Sequence, residues 1–256
     1  MRFMDVTVRA YDASFSNDNE KYIIATACSD SLFRVYSFDA QKKCLDLCYS
    51  VQYGFHCILK LLSVEIANQP LVHYFVTGAT DGELKIIYHE YKNDHSSHNS
   101  CTYNHELVFR VQLHKSGINA VDAKNIKENI WLVCCGGDDN ALTAILLDFK
   151  PTLQNETQIE ILSRTLVSDA HASQITGIKF LGSKMLASVS IDQRLNIWHW
   201  NLNNGKLEIS LRNSAMSLIP DISQMDCWPK SSTSWNAIIC GQGIEYFNIE
   251  NSKSNE

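Results

Sequence analysis

No stretch of the chain approaches the ~18 consecutive apolar residues that a membrane-spanning helix needs. The opening Met1-Arg2-Phe3-Met4-Asp5 has no long uncharged apolar run of the secretory type. The expectation is a protein that is neither exported nor membrane-embedded. Positive charge is also scarce: 22 Lys and Arg face 28 Asp and Glu, a net charge of -6, and no basic cluster exceeds the pair Lys42-Lys43. Tight autonomous binding to nucleic acid needs many cations on one face, so this balance argues against it and leaves only contact through a partner. Three motifs are missing as well: a CxxC pair, a Gly-x-Ser-x-Gly elbow and a glycine-rich turn that opens a helix. Their absence removes motif support for a structural zinc knuckle, an α/β-hydrolase and a dinucleotide or S-adenosylmethionine site.

What is present is globular material. Of the 256 residues 45% are hydrophobic and 20% charged, enough to bury a core in one large domain. Nine cysteines make an odd count, and Cys28, Cys57, Cys134, Cys135 and Cys240 lie in apolar strand-like runs. They read as reduced thiols in a cytosolic or nuclear protein, and a cytoplasmic location is expected.

An internal repeat organises the chain. The segment Met185 to Trp198 is an apolar strand, a turn with Asp192, and a second alternating strand that ends in an aromatic. Tyr22 to Tyr36, Phe75 to Ile87 and Trp131 to Ile145 follow the same plan. Aligned on Asp30, Asp81, Asp139 and Asp192, the copies are 51, 58 and 53 residues apart. Each Asp is followed at +3 by Phe33, Leu84, Leu142 or Leu195, and at +6 by Tyr36, Ile87, Ile145 or Trp198. His114 and His171 precede two of the Asp residues, each with apolar residues at +4 and +7. A fifth copy, from Ile222 through Trp235 to Asn248, lacks the turn Asp.

This His…Asp…Trp pattern resembles the WD40 repeat, whose unit is a four-stranded antiparallel propeller blade. Period-2 alternation without a helical face makes the class all-β. We expect a WD40-type β-propeller of about five blades, near 1–51, 52–113, 114–168, 169–213 and 214–250, with a polar tail at 251–256. It starts on a strand from Met4 to Val8 and stops soon after a third strand, so it is expected to be incompletely closed and part of a larger multi-propeller protein. Structural roles fall to His171, Ser190, Asp192 and Trp198 as one buried hydrogen-bonded network, and to Asp30, Asp81, Asp139 and His114 in the other blades.

Several groups carry a sharper chemical alternative. His89, His95, His98, Cys101 and His105 have spacing a zinc ion could use, against the plainer reading of a solvated loop. Gly136-Gly137 and Gly241-x-Gly243 read as turn residues, and Asn155-Glu-Thr157 as a sequon without a secretory context. His171, Ser190 and Asp192 are the residue types of a hydrolytic triad, but the repeat assigns them to the blade network. Tyr53, Phe55, Tyr91, Trp200 and Trp228 are candidate exposed aromatics for a partner, or else pack between blades. No catalytic, cofactor-binding or metal residue and no small-molecule substrate is expected.

Five segments carry a closer resemblance: His114 to Asp122, Cys135 to Leu142, His171 to Leu181, Ser188 to Trp198 and Asp221 to Pro229. In this order they resemble the C-terminal propeller of the WD repeat-containing protein six family, most strongly from about Leu113 to Pro229. The resemblance implies a non-catalytic regulatory subunit. In that family an FtsJ-like tRNA 2′-O-ribose methyltransferase carries the cofactor and the chemistry, while the WD-repeat subunit binds it and helps position tRNA for modification at the wobble nucleotide. A general interaction scaffold in an unrelated assembly, and more remotely a hydrolase, remain as alternatives.

Overall fold

The computed structural model describes residues 8–18, 21–66, 72–93, 101–151 and 157–250. Its strands form antiparallel meanders, each adding the next strand in sequence to its edge. The first sheet is β1 (Ala10–Asp18), β2 (Lys21–Cys28), β3 (Leu32–Asp39) and β4 (Cys44–Gln52). The second is β5 (Ile58–Val64), β6 (Val72–Ala79), β7 (Glu83–Asn93) and β8 (Cys101–Gln112). The third is β9 (Ile118–Lys127), β10 (Ile130–Gly137), β11 (Leu142–Pro151) and β12 (Thr157–Val167). The fourth is β13 (Ile175–Leu181), β14 (Met185–Ser190), β15 (Arg194–Asn203) and β16 (Lys206–Met216). The last has three strands, β17 (Gln224–Pro229), β18 (Ser234–Cys240) and β19 (Ile244–Glu250). The expected strand Met4 to Val8 falls largely outside the described residues, as do 251–256. Among the described residues no helix is long and apolar enough to cross a membrane.

The four Asp residues of the repeat all occupy the turn between the second and third strands of a sheet, and the reason is local. One residue after each Asp the backbone is left-handed: Ser31 (φ 66°), Gly82 (77°), Asn140 (63°) and Gln193 (62°). The amide of that residue donates to the carbonyl three positions back, at Cys28, Ala79, Gly137 and Ser190, over 3.1 to 3.3 Å. The Asp carboxylate then accepts the next amide, from Leu32, Glu83, Ala141 or Arg194, over 3.0 to 3.2 Å. An aspartate side chain can mimic a backbone acceptor in this way, which is why the position holds Asp in four turns. Shortly beyond, the third and fourth strands slip register at Val35/Tyr36, Ile86/Ile87 and Ile197/Trp198, five and six residues past the Asp each time. The repeat is thus one backbone unit down to its bulges.

The chain divides into two compact units, one of Met1–Ile118, Asn125–Trp131 and Asp148–Glu160, the other of Asn119–Lys124, Leu132–Leu147 and Ile161–Glu256. In the first, Ile23, Ala25, Phe33 and Val35 pack with Ile58, Leu61, Phe75 and Ile87, joining the first two sheets through their apolar faces. In the second, Met185, Val189, Leu195 and Ile197 pack with Met225, Trp235, Ala237 and Ile239. A carboxylate adds a directional tie in each: Asp12 accepts the Leu61 amide at 3.0 Å, and Asp122 that of Phe180 at 2.7 Å. Burial holds the Asp122 carboxyl above its ordinary range, partly offset by that amide. Gly136 is not a turn residue as expected; it lies within strand β10, where an added Cβ would lie 2.6 Å from the Ile175 side chain.

Candidate functional site

The fourth sheet carries the buried polar relay. The Trp198 indole N–H donates to Ser188 Oγ at 2.8 Å, and Ser188 donates to His171 Nε2 at 2.7 Å. On its other side His171 Nδ1–H donates to Asp192 at 3.0 Å. Asp192 also accepts the Ala172 amide at 2.8 Å. This proton arrangement is the one that satisfies every partner with a neutral imidazole, and burial agrees, because it pushes the His171 pKa below its usual value despite the aspartate.

Ser188, and not the expected Ser190, therefore joins the histidine to the tryptophan. Ser190 Oγ instead donates to the Ser173 carbonyl at 3.0 Å and accepts the Asp192 amide at 3.1 Å, fastening the incoming loop to the turn. The physical reason is position along the strand, since both serines are buried on the same face. Ser188 pairs with Asn196 in mid-strand, with its side chain inward, whereas Ser190 ends β14. The signal was visible at the fourth position before each Asp, where Thr26, Thr77, Cys135 and Ser188 stand. In the other sheets that group donates to the carbonyl of Arg34, Lys85 or Thr143 over 3.3 to 3.6 Å.

Asp, His and Ser in this order have the connectivity of a hydrolytic relay, but the Ser188 hydroxyl is occupied on both sides and the residue is 0% exposed. A nucleophile needs a free approach to a substrate, and none exists here. The relay is a register lock between the loop, the turn and strand β15.

The first two sheets lock their turns through charged groups. Arg34 grips Asp30 through both nitrogens, and the guanidinium holds that carboxyl below its usual range. Lys85 lies 2.8 Å from Glu83 and 3.7 Å from Asp81, while His56 reaches Asp81 at 3.0 Å. His56 precedes its Asp by 25 residues, as His114 precedes Asp139, and sequence reasoning passed over it because Lys60 and Ser63 break the apolar pattern that follows. His114 itself is buried, and its amide donates to the Gly82 carbonyl at 3.2 Å; His171 does the same to Asn140 at 3.3 Å. Asp139 shapes its own turn by accepting the Ala141 amide.

The histidine-rich segment is not a solvated loop at its ends. His89 on β7 faces His73 on β6 and His105 on β8 in direct register. Tyr49 donates to His89 Nδ1 at 2.9 Å, and Tyr53 to His105 Nδ1 at 2.8 Å. The Tyr49 ring stacks on His105 with centroids 4.1 Å apart. Burial, with His73 and His105 nearby, pushes the His89 pKa down to about 3. His95 and His98 lie outside the described residues, and among the described ones no group of metal-ligating side chains is arranged to hold an ion.

The expected aromatic surface is only partly exposed. Phe55 is 91% exposed and Trp228 39%, but Trp200 is 4% exposed and packs edge-on against Phe180. Tyr53 is half-buried, and the Tyr91 side chain lies outside the described residues.

No family model matches the chain. Among curated proteins, the rat tRNA (34-2′-O)-methyltransferase regulator WDR6 is 30% identical over 266 residues, which cover 96% of this chain. The chain resembles part of WDR6. Human and Pongo abelii WDR6 are each 30% identical over 245 residues, or 88% of the chain. The chain spans about a quarter or less of these relatives, 23% of rat WDR6 and 22% of human WDR6. Among solved structures, a chain in a crystal structure of the mitotic checkpoint complex matches 98% of this chain with a TM-score of 0.59 and 13% identity, covering 67% of its own length. At that identity the match speaks for the fold alone, a WD40-like β-propeller fold.

Proposed function

We propose that this chain is a non-catalytic WD-repeat region that binds a tRNA 2′-O-ribose methyltransferase of the FtsJ-like kind and helps position tRNA for modification at the wobble nucleotide. The carrying observation is similarity across 96% of the chain to a protein named as a regulator of that enzyme class. The residues are compatible with a regulatory part: the Asp192–His171–Ser188 relay is sealed, and among the described residues neither glycine pair opens a helix. The negative net charge fits tRNA contact made jointly with an enzyme rather than alone. A cytoplasmic location belongs to the same proposal, since the eight cysteines whose side chains are described are free thiols, as a reducing compartment keeps them.

Ribose methylation at the tRNA wobble nucleotide, measured in cells lacking the endogenous gene, tests the reading. Re-expression of the full-length protein restores methylation, and deletion of the region encoded by this chain abolishes it. Full methylation without the region would overturn the proposal and leave a general interaction scaffold as the better account.

A further inference from the structure

The connection between the first and second sheets, Tyr53 to Cys57, is pinned on every side and yet turns its largest apolar group outward. The Phe55 carbonyl accepts the Ser31 hydroxyl at 3.1 Å. Next to it, His56 Nδ1 meets Asp81 at 3.0 Å. Cys57 donates its thiol to the Ser29 carbonyl at 2.9 Å, and its own carbonyl accepts the Thr80 amide at 3.0 Å. On the entry side Tyr53 is held by His105 at 2.8 Å, and Gly54 passes so near Lys85 that an added Cβ would lie 3.3 Å from the ammonium. With both flanks fixed to the turns of two sheets, the Phe55 ring cannot fold back onto the core and remains 91% exposed.

A rigidly presented, exposed aromatic is the form that interface anchors take, because the ordering cost of binding is already met before the partner arrives. The surrounding charges indicate what the partner is. Arg34 is engaged by Asp30, Lys85 by Asp81 and Glu83, and Arg110 by Glu83. A phosphate backbone approaching Phe55 would meet cations already neutralised, and carboxylates beside them. An uncharged apolar pocket on a protein meets no such opposition.

We propose that the Tyr53–Cys57 loop is a protein-docking loop whose anchor, Phe55, inserts into an apolar pocket on the methyltransferase subunit. This rests on the function proposed above and adds the contact that carries it. Ser31 is a positioning residue, since its hydroxyl sets the loop without touching the partner.

The test is the affinity of the purified full-length protein for the purified methyltransferase by titration calorimetry, with binding to an anticodon stem-loop measured alongside. Phe55→Ala weakens enzyme binding about thirtyfold. Ser31→Gly, which keeps the left-handed backbone but loses the hydroxyl, weakens it a few-fold. Leu47→Ala, an exposed apolar residue of β4 away from the loop, leaves it unchanged. Equal enzyme affinity for Phe55→Ala and the parent overturns the docking proposal alone and leaves the regulatory function standing. Loss of stem-loop binding with enzyme binding intact overturns it in favour of base stacking. No binding of the parent to the enzyme overturns both readings. Because Phe55 packs against no core, the variant's thermal unfolding matches the parent's and separates lost contact from lost fold.

Discussion

Ser188 accepts the indole N–H of Trp198 and donates to His171 Nε2 within the same buried site. One hydroxyl thus satisfies two bulky polar rings, and its removal orphans both. Ser188→Ala is expected to cost about 1–3 kcal/mol, the usual penalty for buried groups left without partners. Ser190→Ala removes only the loop fastening and costs less than Ser188→Ala. Chemical denaturation ranks the two, and an inverted order would show that the lock does not run through Ser188.

The Asp122 carboxylate accepts the backbone amide of Phe180, with a smaller contribution from that of Ala123, in a site whose burial disfavours charge. Asp122→Asn keeps an acceptor oxygen and sheds the charge, so stability is unchanged or slightly raised. Asp122→Ala leaves the amide unpaired and lowers stability by about 1–3 kcal/mol. Urea midpoints for the pair of variants check this, and equal losses would contradict it.

Two glycines with similar backbone angles differ in what surrounds them. Gly82 (φ 77°) has the His114 carbonyl oxygen 2.3 Å and the Ser116 carbonyl oxygen 2.6 Å from where a Cβ would stand, whereas Gly205 (φ 78°) has nothing within 4 Å. Gly205→Ala pays only for the left-handed backbone, about 1 kcal/mol. Gly82→Ala adds a clash with main chain that cannot yield, and is expected to lower the melting temperature several times as far. Similar shifts for both would refute the crowding argument.

The pH dependence follows from His89. Its pKa falls from 6.5 to about 3 on folding, so between those values the unfolded chain takes up a proton that the folded chain refuses. Stability from this group is complete above about pH 6.5 and is lost progressively as pH falls towards 3. His105 and His171 are also lowered by burial and steepen the same decline. Asp30, held below its ordinary 3.8 by Arg34, adds its own loss at the acidic end. In His89→Phe, denaturation midpoints between about pH 6 and 4 decline less steeply than in the parent; an unchanged slope would remove His89 as the cause.

The repeat and the strands were legible because apolar alternation and a turn Asp are both local signals. Asp30, Asp81, Asp139 and Asp192 each sit in the turn that their spacing indicates. The choice between Ser188 and Ser190 was not legible, since both lie on one face of the same strand and only their depth along it, mid-strand against strand end, separates them. His56 was hidden because the strand after it, β5, carries Lys60 and Ser63 where the copies at His114 and His171 carry apolar residues. Trp200 reads as a surface aromatic from its polar neighbours His199 and Asn201, and its burial is set by Phe180 on another strand. The histidine row across β6, β7 and β8 depends on cross-strand register, which residues 16 apart in sequence do not announce.

The self-closing aspartate turns bear on the time course of folding. Each is completed within a few residues, so the hairpin it closes needs almost no search through chain conformations. The ties from sheet to sheet span far more chain, 49 residues for Asp12 to Leu61 and 58 for Asp122 to Phe180. Assembly is therefore expected to proceed from rapid hairpins to slow docking of neighbouring sheets, which makes the carboxylate ties, and not the turns, the late and rate-setting contacts.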